Sequence, residues 1–354
     1  MLAAASLRFA GPALASEPAG SGLPQKQWQV ASETALPAAL AWARVVRHRE
    51  RSKEVLIADL YSGLYRWRFE ASEEPTRLVR QGNGQREIWQ LHALGISERY
   101  FAIGAPALVA GWGQIAKDRW EFEGFEAADL IMDLDVAGET LLMLAPRRNK
   151  SGDFAPDGAI AWMGSISKDL EDLRPVLFSE DGPGADSVGR CGMISVGSAR
   201  FLADGSFLVV PGVEDGAYHL GPEGKLMTVW SSESIGYESG CPLSEEEEYR
   251  LAVDEPARWS WINGRPTVDE ILPLESGPGI VLREMTPDGV GWKLAQRAAD
   301  GNWVSEALPL SSSSKWAHIS GDVNGDRLTL LVWAYGLRSD GPEASPRLVI
   351  LERR

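Results

Sequence analysis

Residues Arg327–Val332 have the sequence RLTLLV, a short apolar run of the kind found in buried β-strands. Five further runs of similar length and character are spread along the chain: Glu54–Asp59 (EVLIAD), Arg99–Gly104 (RYFAIG), Glu139–Leu144 (ETLLML), Ser206–Val210 (SFLVV) and Ile280–Glu284 (IVLRE). A unit that recurs along a chain indicates a repeat architecture. We therefore predict six repeats and assign these runs to the second strand of each.

Each of these runs is flanked by further β-like segments. The preceding segments are predicted to be inner strands that line a central channel: Ala39–Val46, Ile88–Leu94, Leu130–Leu134, Met193–Val196, Asp269–Leu274 and Trp316–Ser320. The following segments are predicted third strands, and four of them carry a tryptophan near the middle: Trp67, Trp112, Trp162 and Trp292. Large aromatic side chains at one place in successive repeats suit the packing of neighbouring sheets face to face.

Fourth strands are predicted in five of the six repeats, which leaves the last repeat one strand short. The N-terminal run Gln27–Glu33 (QWQVASE) is unassigned and is expected to complete it, which would remove an open sheet edge. The predicted fold is all-β: a six-bladed β-propeller with four-stranded blades, a single domain over residues 27–354, and a last blade closed by the N-terminal strand.

This repeat pattern resembles the six-bladed β-propellers of the broad bacterial class that includes NHL-type and TolB-like proteins. The resemblance covers most of residues 27–354 but includes no diagnostic motif, so it implies a fold and no particular chemistry. The Glu-Gly-Pro-x-Trp run typical of lactonase-like propellers is missing, and there is no G-x-S-x-G, H-E-x-x-H, C-x-x-C or P-loop signature. These absences favour binding over catalysis.

The charge of the chain restricts its partners. Against 35 basic side chains stand 50 acidic ones, and the formal net charge is -15. Such a charge repels a phosphate backbone, and no basic stripe compensates it, so no nucleic-acid partner is expected. No stretch approaches the roughly 18 consecutive apolar residues of a membrane-spanning helix. We expect a monomer whose partner is a protein or a small molecule.

Residues 1–26 are expected to be a signal peptide or, alternatively, a disordered tail. The small-residue run that ends Ala13-Leu14-Ala15 before Ser16 fits an A-x-A cleavage rule, although Arg8 interrupts the apolar run and no basic segment precedes it. A signal peptide implies export to the periplasm or the cell envelope.

The long connections of this assignment all open on one face: Ala145–Asp157, Asp181–Arg190, Ser232–Thr267 and Ala334–Pro346. Long loops on one face of a rigid scaffold are a usual place for binding, although insertions also accumulate without function. The candidate ligand-binding residues on these loops are Arg147, Arg148, Arg190, Trp259 and Trp261. The two tryptophans would either contact a ligand or hold the longest loop against the body.

The mouth of the channel is predicted on the same face, where the inner strands begin. We expect Glu87, Asp129, Asp269 and His318 there. Converging carboxylates and a histidine can bind one divalent cation, act as acid and base, or simply line a hydrated channel. The leading hypothesis is a non-enzymatic binding or interaction propeller that uses this face. The alternative is a metal-dependent, lactonase-like hydrolase with a carboxylate site at the mouth.

A second cation hypothesis concerns the segment Gly321–Asp326 (GDVNGD), which resembles the Asp/Asn-rich calcium loops of integrin-like propellers. Asp322, Asn324 and Asp326 would be its oxygen ligands. Leu330 stands where such loops usually have a further acidic residue, and an Asn-Gly hairpin turn explains the segment equally without a metal.

The two cysteines of the chain, Cys191 and Cys241, are predicted to form a disulfide bridge in an exported protein. The bridge would close a loop of about 50 residues and add ~2–4 kcal/mol to the free energy of unfolding. Intact-mass measurement before and after reduction checks this: reduction should add two hydrogens. An unchanged mass would show that both thiols are free.

Overall fold

The computed structural model describes residues 27–49, 54–71, 73–80, 82, 90–105, 108–116, 119–127, 131–145, 159–166, 170, 172–178, 197–211, 216–237, 243–334 and 345–354. Within these ranges the strands form six four-stranded antiparallel sheets. Each sheet is one blade, and the inner strands of successive blades contact one another in a closed ring. The predicted six-bladed β-propeller is confirmed.

The strands follow one another in simple order within the blades. The first strand of the chain, β1 (Trp28–Ala35), precedes the five complete blades. Blade I contains β2 (Ala43–His48), β3 (Val55–Asp59), β4 (Gly63–Trp67) and β5 (Thr76–Arg80). Blade II contains β6 (Ala93–Ile96), β7 (Tyr100–Ala105), β8 (Leu108–Ala116) and β9 (Arg119–Ala127). Blade III contains β10 (Asp133–Ala137), β11 (Thr140–Leu144), β12 (Ala159–Ser165) and β13 (Arg174–Phe178).

Blade IV contains β14 (Ser198–Phe201), β15 (Phe207–Val210), β16 (Ala217–Leu220) and β17 (Leu226–Trp230). Blade V contains β18 (Thr267–Leu274), β19 (Gly277–Thr286), β20 (Gly289–Arg297) and β21 (Trp303–Ser312). Blade VI contains β22 (Ala317–Asn324), β23 (Arg327–Ala334) and β24 (Arg347–Arg353), and β1 is its outermost strand. Within the described ranges, two short 3₁₀ turns accompany these strands, at Ala38–Leu40 and Phe69–Ala71.

The closure of the last blade by the N-terminal strand is also confirmed. β1 pairs antiparallel with β24, from Trp28 opposite Arg353 to Ala35 opposite Arg347. The Arg353 guanidinium lies 4.7 Å from the centre of the Trp28 ring, and an ion pair of 2.9 Å joins Arg347 to Glu33. The two ends of the chain therefore hold the ring of blades closed.

A helical insertion lies between β17 and β18. It contains α1 (Ser232–Ile235), α2 (Glu245–Val253) and α3 (Glu255–Asn263). Ser244 and Glu247 form a capping box at the start of α2, and Asp254 caps α3. α3 was not predicted from the sequence. None of the helices in the described ranges is long and apolar enough to cross a membrane.

The apolar core is divided among the spaces between adjacent blades. Each of six clusters of buried side chains combines residues from two neighbouring blades. The third-strand tryptophans Trp67, Trp112, Trp162 and Trp292 are all buried in these clusters, as their repeated position predicted. Face-to-face packing of the blades therefore supplies the hydrophobic stabilisation of the ring.

The second strands lie where the apolar runs predicted them, but four inner strands do not. β2, β6, β10 and β14 begin at Ala43, Ala93, Asp133 and Ser198, which is later than predicted. For β2, β10 and β14 the physical reason is their polarity. Inner strands such as Asp133-Leu134-Asp135 alternate buried charged side chains with apolar ones, so a search for apolar runs places them too early.

Each inner strand pairs with only one strand of its own blade, so its other edge has backbone N–H groups without a sheet partner. Side chains of the preceding blade accept hydrogen bonds from these groups. Asp133 and Asp135 of β10 accept from the backbone of Ala199 and Phe201 at 3.1 and 2.9 Å. The same contact joins Ser198 to Ile271, Asp269 to Ile319, Glu270 to Gly321, Ser320 to Val46, and Asp322 to His48.

Between blades II and III the inner strands approach each other directly. A Cβ atom on Gly95 would lie 2.7 Å from the backbone of Asp135, so only glycine fits at this position of β6. Side-chain contacts and this close approach together connect the inner strands around the axis.

Two buried arginines fill the axis itself. The Arg47 guanidinium lies 2.7 Å from a carboxylate oxygen of Glu270 and 3.4 Å from one of Asp133. The Arg200 guanidinium lies 3.3 Å from Asp135 and 3.5 Å from Glu270. These five side chains come from β2, β10, β14 and β18, so the ion pairs connect blades I, III, IV and V across the channel.

The carboxylates at the axis differ in their electrostatics. Burial raises the pKa of Asp133 to about 6 against the opposing charge of Arg47, and burial also raises the pKa of Asp135. Burial opposes ionisation of Glu270 too, but the positive charges of Arg47 and Arg200 outweigh it and lower the pKa of that carboxyl. Glu270 is therefore the carboxylate that the two arginines hold ionised.

Replacing Glu270 with glutamine should destabilise the protein strongly, because it leaves two buried guanidinium groups without their shared carboxylate. We expect a loss of ~3–5 kcal/mol in the free energy of unfolding, measured by denaturant titration. Glu284→Gln is the matched control, since it breaks the exposed 2.6 Å pair with Lys293 and should cost below about 1 kcal/mol. Equal, small losses in both variants would contradict a structural role for the axial ion pairs.

The stability that Asp133 contributes should fall as the pH rises. Its pKa is about 6 in the folded protein and 3.8 as an isolated group, so between roughly pH 4 and pH 6 the folded state keeps a proton that the unfolded chain releases. The difference in unfolding free energy between the wild type and Asp133→Asn should therefore shift by ~1–3 kcal/mol against the wild type from pH 4 to pH 7. A constant difference across this range would show that Asp133 titrates alike in both states.

Candidate functional site

The channel opens on the face where the six inner strands begin, and its mouth is a cavity of about 100 Å³. Every blade contributes to the wall: Arg44 from blade I, His92 from blade II, Met132 from blade III, Gly197 from blade IV, Asp269 from blade V and His318 from blade VI. Arg47, Asp133 and Glu270 line the cavity where it meets the axial ion pairs. The mouth is therefore a pocket above a filled axis.

The long connections leave the same face. Residues 145–158, 179–197, 231–266 and 335–346 connect β11 to β12, β13 to β14, β17 to β18 and β23 to β24. Connections on the opposite face include the short segments 97–99, 138–139 and 325–326. The mouth therefore opens on the face from which the long connections leave.

Asp269 and His318 form the most ordered polar contact of the mouth. His318 Nδ1 lies 2.9 Å from Asp269 Oδ1, and His318 Nε2 lies 2.9 Å from Asn263 Oδ1 at the end of α3. The second oxygen of Asp269 accepts hydrogen bonds from the Trp292 indole and the Ile319 backbone at 2.7 and 2.9 Å. These groups are saturated with partners and tie the helical insertion to the inner strands.

Arg283 of β19 fixes the insertion from a second direction. Its guanidinium donates to the carbonyl oxygens of Ala317 and Lys315, at the start of β22 and just before it, and to those of Asn263 and Arg265, at the end of α3 and just after it. Burial lowers the pKa of Arg283, and the nearby Asp269 opposes that effect. The end of α3 is thus held at the rim of the mouth by Arg283 and by His318.

Trp333, near the end of β23, forms one wall of the mouth. Its ring stacks on His318 with centroids 5.1 Å apart, and the Arg44 guanidinium lies 4.9 Å from the ring centre. Among the described residues, the buried indole nitrogen has no hydrogen-bond partner. An unsatisfied buried N–H group costs free energy, so it marks a place where a hydrogen-bond acceptor would be stabilising.

His92 presents a similar feature on blade II. Its Nε2 atom is buried without a hydrogen-bond partner in the part of the chain that the structure describes. Burial, together with the charge of Arg44, lowers the pKa of His92 to about 3. The imidazole is therefore neutral at physiological pH, and its free nitrogen can exchange a hydrogen bond with a ligand.

A second cavity of about 270 Å³ lies next to the mouth, and Trp333 lines both. Its polar wall consists of Ser311, Ser312 and Ser313 at the end of β21, Ser345 before β24, and Arg347. Val332, Ala334 and Ala317 form the apolar part. Val332 and Ala334 face blade V, whereas the Trp333 side chain packs toward blade I, so the two cavities lie on opposite faces of β23.

Of the site residues predicted from sequence, the structure brings Asp269 and His318 together at the mouth. Trp259 and Trp261 lie on α3 of the insertion; the Trp261 ring is covered by the Arg265 guanidinium at 4.3 Å, which fits the alternative that it holds the loop in place. Glu87, Asp129, Arg147, Arg148 and Arg190 lie outside the described residues, as do Cys191 and Cys241. In the described part of blades II, III and IV, the mouth is lined instead by His92, Met132 and Gly197.

The GDVNGD segment lies on the opposite face, around the hairpin between β22 and β23. Asp322 is turned inward: one oxygen accepts from the His48 backbone at 2.7 Å and the other from Val323 at 2.8 Å. Asn324 pairs with Arg327 across the turn, and Asp326 lies in the turn itself. The segment therefore adopts the hairpin form, with Asp322 committed to the axis.

The described side chains do not support the hypothesis that the mouth binds a divalent cation. Within the described ranges, no group of three or more His, Cys, Asp or Glu side chains is placed to hold a metal ion. Both oxygens of Asp269 are already engaged. A divalent cation bound with Glu87 or Asp129 remains a prediction.

Arg44, Arg47, His92 and Trp333 were not identified from the sequence. The first two offered a signal, because arginines within the apolar run Ala43–His48 imply buried acidic or aromatic partners. His92 and Trp333 offered none, since an isolated histidine or tryptophan in a β-rich segment is usually structural.

Comparison with known proteins shows likeness in fold. No protein-family model matches the chain, and no curated protein sequence matches it. Among solved structures, a DUF4221 family member from Bacteroides vulgatus is 8% identical with a TM-score of 0.58, covering 93% of this chain and 98% of that one. Virginiamycin B lyase from Staphylococcus aureus is 10% identical with a TM-score of 0.47, covering 93% and 99%. At these identities the likeness concerns the fold alone, and the chain is a six-bladed β-propeller.

Proposed function

We propose that this protein is a non-enzymatic binding propeller whose ligand is a small molecule held on the long-loop face, in the mouth cavity and the adjoining serine-lined cavity. The observation that carries this proposal is the pair of cavities on the two faces of β23, where that strand ends on the long-loop face. The larger cavity, about 270 Å³, is close to the lower end of the ~300–1,000 Å³ range of ligand pockets.

The charged groups of the mouth are already engaged in ion pairs and hydrogen bonds, which supports binding rather than catalysis. Glu270 and Asp133 are paired with Arg47, and Asp269 is saturated by His318, Trp292 and Ile319. A general acid, base or metal ligand needs a free oxygen or nitrogen directed at the reacting group. The hydrolase alternative would therefore depend on Glu87 and Asp129.

The remaining parts of the proposal concern context. Export to the periplasm or cell envelope is proposed from the N-terminal sequence, and a monomeric state from the closed ring in which β1 covers the edge of blade VI. Arg147, Arg148, Arg190 and Trp259 are proposed as further ligand contacts, because they belong to the long connections assigned to this face from the sequence.

Ligand retention tests the proposal. The protein is dialysed to equilibrium against the low-molecular-weight fraction of a cell-envelope extract, and retained compounds are identified by mass spectrometry. Ser313→Trp, which places a large side chain in the serine-lined cavity, should reduce retention at least ~10-fold by excluding the ligand. Ser305→Trp is the matched control, because Ser305 is exposed on β21 and lines neither cavity.

Retention of the same compounds by Ser313→Trp would place binding elsewhere, and retention of nothing by the wild type would remove the proposal. Elemental analysis of the same preparation separates the alternative. A stoichiometric divalent ion that is lost in Asp269→Ala would favour a metal-dependent hydrolase.

A further inference from the structure

The serine-lined cavity is the long-loop end of the space between blades V and VI. Over most of its depth this space is filled by apolar side chains of three strands: Leu308 and Leu310 of β21, Leu328, Leu330 and Val332 of β23, and Val349 and Leu351 of β24. Residues two positions apart share a face of a strand. On these same faces the last side chains before the long connections are Ser312, Ala334 and Arg347. The cavity of about 270 Å³ therefore begins where bulky apolar residues give way to small or polar ones.

The lining of this cavity has an uneven distribution of charge. Among the described residues that line it, Arg347 is the only charged one. The other polar lining residues are serines, and none is acidic, although the chain as a whole has a formal net charge of -15. The cavity is thus a place where an acidic protein presents a cation and hydroxyl groups.

Two contacts hold the Arg347 guanidinium at the edge of the cavity. Its Nη1 atom lies 2.9 Å from a carboxylate oxygen of Glu33, and its Nη2 atom donates to the Ser311 carbonyl at 2.8 Å. A guanidinium has five N–H groups, and among the described residues only these two contacts engage them. The Glu33 side chain is 46% exposed, so water can replace its half of the ion pair at small cost. Arg347 can therefore donate to a ligand in the cavity.

A carboxylate is the ligand group that suits this arrangement. Its two oxygens accept parallel hydrogen bonds from one planar guanidinium, and hydrogen bonds between ionised groups are about twice as strong as those between neutral groups. Serine hydroxyl groups can donate to the remaining lone pairs. The rest of the wall, formed by Ala317, Val332 and Ala334, offers only apolar side chains. The lining therefore fits a molecule with one carboxylate and a short hydrocarbon body.

We propose that the serine-lined cavity binds a small aliphatic monocarboxylate, whose carboxylate pairs with Arg347 and whose hydrocarbon part contacts Val332 and Ala334. This inference rests on the proposed function and specifies the ligand of the larger cavity. It requires no contact with the mouth cavity on the other face of β23. Glu33 is then an internal competitor, because it shares the Arg347 guanidinium with the ligand.

Hexanoate and hexanamide test the charge requirement, because the two molecules have nearly the same shape and differ in charge. Each is titrated into the full-length protein at neutral pH by isothermal titration calorimetry, and butyrate and octanoate are added to find the chain length that fits. We expect one of the acids to bind saturably with one molecule per chain. It should bind at least ~10-fold more tightly than its amide, because only the acid forms hydrogen bonds between ionised groups.

Arg347→Gln tests the partner of the carboxylate. It should weaken binding of the acid at least ~10-fold and leave the affinity for the amide unchanged. Arg353→Gln is the matched control: Arg353 lies on the same strand, is similarly exposed at 35% against 31%, and pairs with Glu306 at 3.0 Å. It lines neither cavity, so its loss should not change the affinity.

Glu33→Gln tests the competition and has the opposite sign. With Glu33 neutralised, the charge of Arg347 is available to the ligand alone, so the affinity for the acid should rise roughly 2- to 5-fold, the equivalent of one exposed ion pair. A merely structural effect of the substitution would not tighten binding. Thermal unfolding of all three variants checks that the fold is retained.

Several results would overturn the inference while the proposed function stands. They are an amide that binds as tightly as its acid, an Arg347→Gln variant that binds the acid normally, and a Glu33→Gln variant in which the affinity for the acid stays constant or falls. Another is a compound without a carboxylate that is retained from the extract and excluded by Ser313→Trp, while none of the three acids binds. If Ser313→Trp retains the same compounds as the wild type, the proposed function fails first.

Discussion

The constraint on which the structure depends is the unpaired edge of each inner strand. The inner strand is the edge strand of each blade on the side of the axis. The backbone N–H groups on this edge have no neighbouring strand to accept their hydrogen bonds, and buried backbone donors must find acceptors. The inner strands of blades III to VI solve this with Asp, Glu and Ser side chains that reach the backbone of the next blade, as Asp133 reaches Ala199 and Asp269 reaches Ile319. Carboxylates brought to the axis in this way require cations. Arg47 and Arg200 supply them, and the axis becomes filled.

The filled axis determines where a ligand can bind. Because Arg47, Glu270 and Asp133 occupy the channel, the space that remains on the long-loop face is a shallow pocket above them. The insertion of α1 to α3 is tied to the rim of this pocket through Asn263 and His318, and through the carbonyl groups that Arg283 holds. The same polar contacts that connect the blades therefore also shape the mouth. They engage its acidic groups in structural ion pairs and hydrogen bonds. Among the described residues, Trp333 and His92 each keep a buried nitrogen without a hydrogen-bond partner, and serine residues line the neighbouring cavity.

The sequence indicated part of this site. Asp269 and His318 were found because β18 and β22 begin close to where the apolar pattern placed them. In blades II to IV the inner strands are short, and their predicted starts lie too early in the chain. Glu87, Asp129 and Arg190 lie outside the described residues, and His92, Met132 and Gly197 line the mouth from those blades. Trp261, singled out for its position in the longest connection, is covered by Arg265 four residues later in the chain.

The sequence by itself determined the number of blades, the second strands and the closure by the N-terminal strand. These features depend on apolar patterns that recur along the chain and on the number of strands that those patterns predict, and both can be found in the sequence alone. Only the tertiary structure decided the polar partners. Arg47 and Glu270 are 223 positions apart in the chain, and His318 and Asn263 are separated by 55. No local pattern encodes such contacts, because they arise only when the ring closes and brings the beginnings of all six inner strands to one place.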